Sequence, residues 1–84
     1  MVNAMNLFLR GDRMMVLKNR IRECRNEEKI KQVQLAEMVG VSRETVGRLE
    51  TGKYQNPTLR LAHDVAVCLG KKIDDIFYYE EDSV

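Results

Sequence analysis

Arg43, Glu44, Gly47 and Arg48 fall on one side of a helix read at about 100° per residue, and Val46 and Leu49 fall on the other with Thr45 beside them. Such a face suits the reading of base edges. An arginine donates two parallel hydrogen bonds to guanine, a glutamate accepts from the cytosine amino group, and a glycine lets a backbone come close; a good bidentate pair discriminates by about 1 to 3 kcal/mol. On these residues alone a solvated helix face is the standing alternative, since charged side chains ordinarily lie in water.

Other chemistry finds little support. The single histidine, His63, sits beside Asp64 with no candidate nucleophile organised around it, which argues against an enzyme. His63 and Cys68 point to different parts of their helix, and Cys24 and Cys68 lack CxxC spacing, so neither a metal site nor a redox motif is expected. Both cysteines are expected to be buried, reduced thiols. No cofactor and no small-molecule ligand is expected.

The chain has 84 residues, enough for one domain and too few for a separate sensor. Its 44% hydrophobic and 32% charged content suits a soluble globular protein. No apolar run approaches the roughly 18 residues that span a bilayer, and the start lacks a signal-peptide layout, so no membrane partner and a cytoplasmic location are expected. The formal net charge is only +1, yet it is unevenly spread. Lys18, Arg20, Arg22, Arg25, Lys29 and Lys31 crowd the first helical region, Arg43, Arg48, Lys53 and Arg60 follow, and Asp74, Asp75, Glu80, Glu81 and Asp82 gather near the end.

The elements that must position the face follow from pattern. Asn19 can cap a first helix to about Glu28, with Ile21 and Cys24 inward and Leu17 or Val16 extending that face. A second helix, Gln32 to Val39, buries Leu35, Ala36 and Val39 and stops at Gly40. Ser42 caps a third, Arg43 to about Glu50, that Gly52 ends. The three-residue link Gly40-Val41-Ser42 has helix-turn-helix length. Thr58 caps a fourth helix with a stripe of Leu59, Ala62, Val65, Ala66 and Leu69, and Ile73, Ile76 and Phe77 suit a short fifth. Residues 1–15 read as a flexible lead-in, 16–80 as the domain and 81–84 as an acidic tail. The alternative for the ends is that Leu7-Phe8-Leu9 or Met15-Val16-Leu17 forms a strand against Phe77-Tyr78-Tyr79.

The run QVQLAEMVGVSRETVGRLETGK from Gln32 to Lys53 resembles the phage-repressor, Cro-like (xenobiotic response element) helix-turn-helix family, and NPTLRLA from Asn56, Val65-Ala66, Leu69-Gly70 and IDDIF from Ile73 extend the likeness over residues 19–78. The resemblance implies an all-α, compact, five-helix lambda-repressor-like domain that binds double-stranded DNA. It implies that Gln32 meets a phosphate with its amide and its helix N-terminus. Arg43, Glu44 and Arg48 match base-contacting positions, and Ser42 and Thr45 match positions that touch a phosphate or a thymine methyl, Thr45 being equally suited to packing. Lys53, Tyr54 and Asn56 would lie in a backbone-contacting loop, or simply in solvent. Arg25 and Glu50 match a buried ion pair joining the first and third helices.

Two departures stand out. Gln55 lengthens the loop before Asn56-Pro57, and Lys31 stands where relatives place a threonine cap, which forgoes about 1 kcal/mol. Compact relatives pair through C-terminal helices, and Val67, Phe77, Tyr78 and Tyr79 offer apolar surface there, so a homodimer on inverted repeats with half-sites about 34 Å apart is expected. The expected role is a transcriptional repressor. The competing role is a protein-interaction module, such as a DNA-binding antitoxin partnered with a toxin.

Overall fold

A computed structural model describes residues 9–10 and 13–82. Strands β1 (Leu9–Arg10) and β2 (Arg13–Asn19) precede helices α1 (Ile21–Glu27), α2 (Gln32–Val39), α3 (Arg43–Thr51), α4 (Leu59–Cys68) and α5 (Ile73–Ile76), and strand β3 (Phe77–Asp82) closes the order. The five helices stand where periodicity predicts them. The strands form one antiparallel sheet in the order β1-β2-β3.

The α2–α3 corner is set by local chemistry. Gly40 takes φ 75, the left-handed conformation that ends α2. Two residues later the Ser42 hydroxyl accepts the Thr45 backbone N–H at 3.1 Å, starting α3. At the head of α2, Lys31 supplies no side-chain cap. Instead Gln34 reaches back to accept the Lys31 N–H at 2.7 Å, so half of a reciprocal cap survives the departure noted in the sequence.

The largest fully buried apolar side chains among the described residues are Ile21 of α1, Leu35 of α2, Val46 and Leu49 of α3, Val65 and Leu69 on α4 and its cap, and Ile76 of α5. Each helix thus gives the core at least one large apolar group, and the α2–α3 corner is clamped from below. Leu59 departs from its expected place in the α4 stripe: it is 77% exposed, and Leu61 is buried instead. The reason is angular, since Leu59 lies about a quarter turn from the centre of the Leu61, Ala62, Val65, Ala66, Leu69 stripe. Cys24 is buried and Cys68 half-buried, both unbridged. Burial is the leading cause that pushes both thiols above their ordinary pKa.

At the ends the strand alternative holds, in a different register. Leu17 faces Tyr79, Lys18 faces Tyr78 and Asn19 faces Phe77, so Met15–Leu17 lies opposite Tyr79–Glu81. β2 therefore begins within the segment read as a lead-in, and β3 runs into the segment read as a tail. Leu17 packs on the core from a strand rather than extending α1. Leu7 and Phe8, and the rest of residues 1–8, lie outside the described residues.

Asn19 ends β2 instead of occupying the cap position of α1, which Arg20 takes. Its Oδ1 still accepts the Ile21 N–H at 3.1 Å, while its Nδ2 donates to the Leu49 carbonyl at 2.7 Å, tying the start of α1 to the end of α3. Gln55 makes a second tie. Its Oε1 accepts the Leu17 N–H at 3.1 Å and its Nε2 donates to the carbonyls of Leu17 at 3.3 Å and Gly52 at 2.7 Å. The inserted loop residue thus imitates a neighbouring strand along β2.

Replacing Gln55 with alanine strands both backbone groups of Leu17. With each such bond worth about 0.5 to 1.5 kcal/mol, Gln55→Ala is expected to lose about 1 to 3 kcal/mol in urea unfolding and to speed amide exchange at Leu17. An unchanged midpoint would remove the clasp from the account of the fold.

Candidate nucleic-acid interface

Because Val46 and Leu49 are pinned in the core, Ser42, Arg43, Glu44 and Arg48 are left in solvent. Thr45 is half-buried, its hydroxyl 2.9 Å from that of Ser42. Arg43, Glu44, Gly47 and Arg48 line a shallow cleft with Gln32, Thr51 and Lys53, so the structure brings two ends of α3 and the head of α2 into one surface. Arg48 donates to Glu44 at 2.7 Å across one turn, both side chains well exposed. A β-carbon on Gly47 would meet only Gln32 Nε2 at 4.0 Å, so packing inside the protein does not demand a glycine there.

Glu50 lies under the cleft with a fully buried side chain. Arg25 Nε donates to its Oε2 at 2.8 Å and Arg25 Nη2 to its Oε1 at 3.3 Å. Arg22 Nε and Gln32 Nε2 donate to the same Oε1 at 3.2 and 3.0 Å. Arg25 also donates through Nη1 to the Ile30 carbonyl at 2.9 Å, which uses both ends of its guanidinium inside the protein. A carboxylate only accepts, so the amide nitrogen of Gln32 must face Glu50 and its oxygen must face away. That oxygen accepts from Arg43 Nη1 at 3.2 Å.

Burial by itself would raise the Glu50 pKa, and the hydrogen bonds from Arg25, Gln32 and Arg22 outweigh it, holding the carboxyl below its ordinary value. The site is thus a buried anion that orients Gln32, and Gln32 in turn orients Arg43.

The loop residues separate. Lys53 joins the cleft. Tyr54 is half-buried against the core and its N–H donates to the Arg48 carbonyl at 3.0 Å, a packing role. Asn56 is exposed in the loop, outside the cleft lining. Arg22, Thr51 and Gln55 join these contacts although the sequence pattern assigned them no site role. Arg22 had a signal, because it stands three residues before Arg25 on the same helix face; Gln55 had none, its partner being 38 residues away. His63 is exposed on α4, 3.1 Å from Asp64, and among the described residues no His, Cys, Asp and Glu cluster is arranged to hold a metal.

A family model described as helix-turn-helix matches residues 21–76, from the start of α1 to the end of α5. A protein of Methanothermobacter thermautotrophicus, named as an uncharacterized HTH-type transcriptional regulator, is 51% identical over 74% of this chain and 90% of its own. An Archaeoglobus fulgidus protein with the same description is 44% identical over 81% of this chain and 94% of its own. Among solved structures, the biofilm master regulator SinR in complex with DNA superposes with a TM-score of 0.61 and 25% identity, covering 66% of this chain and 87% of that one. The clp gene regulator ClgR from Corynebacterium glutamicum gives a TM-score of 0.62 and 27% identity, over 66% of this chain and 57% of that one.

Removing the buried carboxylate strands the enclosed Arg25 guanidinium and the Gln32 amide. Glu50→Ala is therefore expected to lose about 3 to 5 kcal/mol of stability. The wild-type contribution has a definite pH sense: the folded pKa is depressed, so the stabilisation is complete above the unfolded value of about 4.3 and is lost as pH falls through the folded value. Thermal unfolding of wild type and Glu50→Gln between pH 7 and pH 3 checks this. Equal steepness in the two proteins would exclude Glu50 as the source.

Proposed function

This chain belongs to the helix-turn-helix family of transcriptional regulators rather than to an enzyme family, and from that premise we propose that it binds double-stranded DNA sequence-specifically with α3 in the major groove. The observation that carries the reading is the cleft in which Arg43, Glu44, Gly47 and Arg48 lie beside Gln32. Arg43, Glu44 and Arg48 read base edges; Gln32, Ser42, Thr45 and Lys53 position the backbone. Tyr54 and Asn56 contribute through the shape of the loop.

The Arg48–Glu44 pair does not oppose this role. An exposed pair of this kind is worth about 0 to 1 kcal/mol, less than the roughly 1 to 3 kcal/mol of a bidentate base contact, so base reading can displace or share it. Gly47 supports the reading from the side of stability. A mid-helix glycine costs about 1 kcal/mol relative to alanine, and the protein interior does not require it. Close approach of another molecule supplies a reason for it.

The same reading takes the protein to be a homodimeric repressor on an inverted repeat. Of the four residues expected to offer apolar surface for pairing, Val67 and Tyr79 do so. Phe77 is in the core and Tyr78 lies under the Arg20 guanidinium at 4.5 Å, while Leu59, Val67 and Tyr79 are exposed. A groove that Leu17, Leu59, Ile73, Phe77 and Tyr79 line beside Asp74 shares no residue with the cleft, leaving α3 free for DNA.

A binding-site selection with the full chain tests the reading, and Arg48→Ala is expected to relax preference at one or two base pairs. No enriched site with wild type would reject it. Gly47→Ala is expected to move two readouts in opposite directions, raising stability by about 0.5 to 1 kcal/mol while weakening DNA binding. If the stabilised variant bound as tightly as wild type, close approach at Gly47 would be wrong. Sedimentation equilibrium checks the dimer, and a monomer bound to a single half-site would exclude it.

A further inference from the structure

The two arginines on Glu50 are used unequally. Arg25 is only 11% exposed in its side chain and donates from Nε and both terminal nitrogens inside the protein. Arg22 donates to Glu50 through Nε alone, at 3.2 Å, and its side chain is 59% exposed. Its two terminal amino groups make no hydrogen bond to the described residues. One carboxylate balances one guanidinium, so a full positive charge is left over, and it sits on the exposed member.

Anchoring Nε also fixes which edge of the fork is presented. The outer pair of amino groups is the edge that grips a phosphate bidentately. Its surroundings favour the same ligand. Gln32, which shares Glu50 Oε1 with Arg22, keeps one amide hydrogen beyond the one given to Glu50 and directs Arg43 outward from its other side. Lys18, exposed on β2, lines one pocket together with Glu50. Arg22 and Lys18 are thus exposed cations besides the Arg43, Arg48 and Lys53 of the cleft.

We propose that Arg22 is a phosphate-binding residue, held in place by Glu50, that extends the DNA interface from the helix-turn-helix onto α1. The inference rests on the DNA-binding reading and adds a contact outside the α2–α3 unit. A phosphate contact carries position and salt dependence, not sequence preference.

The test compares the full chain with Arg22→Gln, which removes the charge but leaves an amide to face Glu50, and with Arg22→Lys, which keeps the charge. Affinity is measured by fluorescence anisotropy against a selected duplex and a random duplex of equal length, from 50 to 200 mM KCl, on protein shown to be folded by circular dichroism. Arg22→Gln is expected to bind both duplexes several-fold more weakly at 50 mM, and its slope of log affinity against log salt is expected to be shallower by about 0.9. Over that fourfold salt range it should lose about 3.5-fold less affinity than wild type. Arg22→Lys should retain the wild-type slope. A wild-type slope in Arg22→Gln overturns the proposal whatever the affinity, because a structural defect weakens binding equally at every salt concentration. Wild type that binds neither duplex would instead reject the DNA-binding reading, and this proposal with it.

Discussion

A buried ionised carboxylate costs several kcal/mol to desolvate unless it is surrounded by donors, and the side chain of Glu50 is fully buried near the end of α3. Arg22 and Arg25 from α1 and Gln32 from α2 satisfy that requirement together. Three helices are thereby registered on one anion. The α2–α3 corner could be built from Gly40 and Ser42 alone, but its orientation relative to α1 depends on Glu50. The same anion dictates which way the Gln32 amide faces, and so what is offered to Arg43.

The C-terminal end of α3 has its own restraint. Asn19 holds the Leu49 carbonyl and Gln55 holds Gly52, and both residues also bond to the β2–α1 segment. The C-terminal end of α3 is therefore held both by the charge network on Glu50 and by two amides. The terminal sheet acts as a brace for that end as well as a cover for the core, with Leu17 packed beneath it.

Net charge is a poor guide to such a molecule. The total is +1, yet Lys18, Arg22, Arg43, Arg48 and Lys53 are all exposed around α3, whereas Asp74, Asp75, Glu80 and Glu81 are exposed along α5 and β3. Local fields at a surface follow the nearest charges within a Debye length of about 8 to 10 Å, so each region acts on its own partners. A basic face for a polyanion and an apolar groove elsewhere are compatible with near-neutrality.

The five helices, the α2–α3 turn and the exposed face of α3 were legible in the sequence, because each is governed by interactions within a few residues: a 3.6-residue apolar period, a left-handed glycine, a hydroxyl cap. The Arg25–Glu50 pairing was reachable only through family resemblance, since spacing says nothing about which carboxylate a distant arginine meets. Only the tertiary structure decided the rest. It turned residues 13–19 into a strand by supplying a partner near the other end of the chain, exposed Leu59 and buried Leu61 by choosing the helix rotation, and made Gln55 a strand mimic. It also divided two arginines, three residues apart on one helix, into one enclosed by the protein and one turned to solvent. The physical reason is common to all of these: the deciding partner is remote in sequence, and burial, which sets the energy of every polar contact, exists only once the chain has folded.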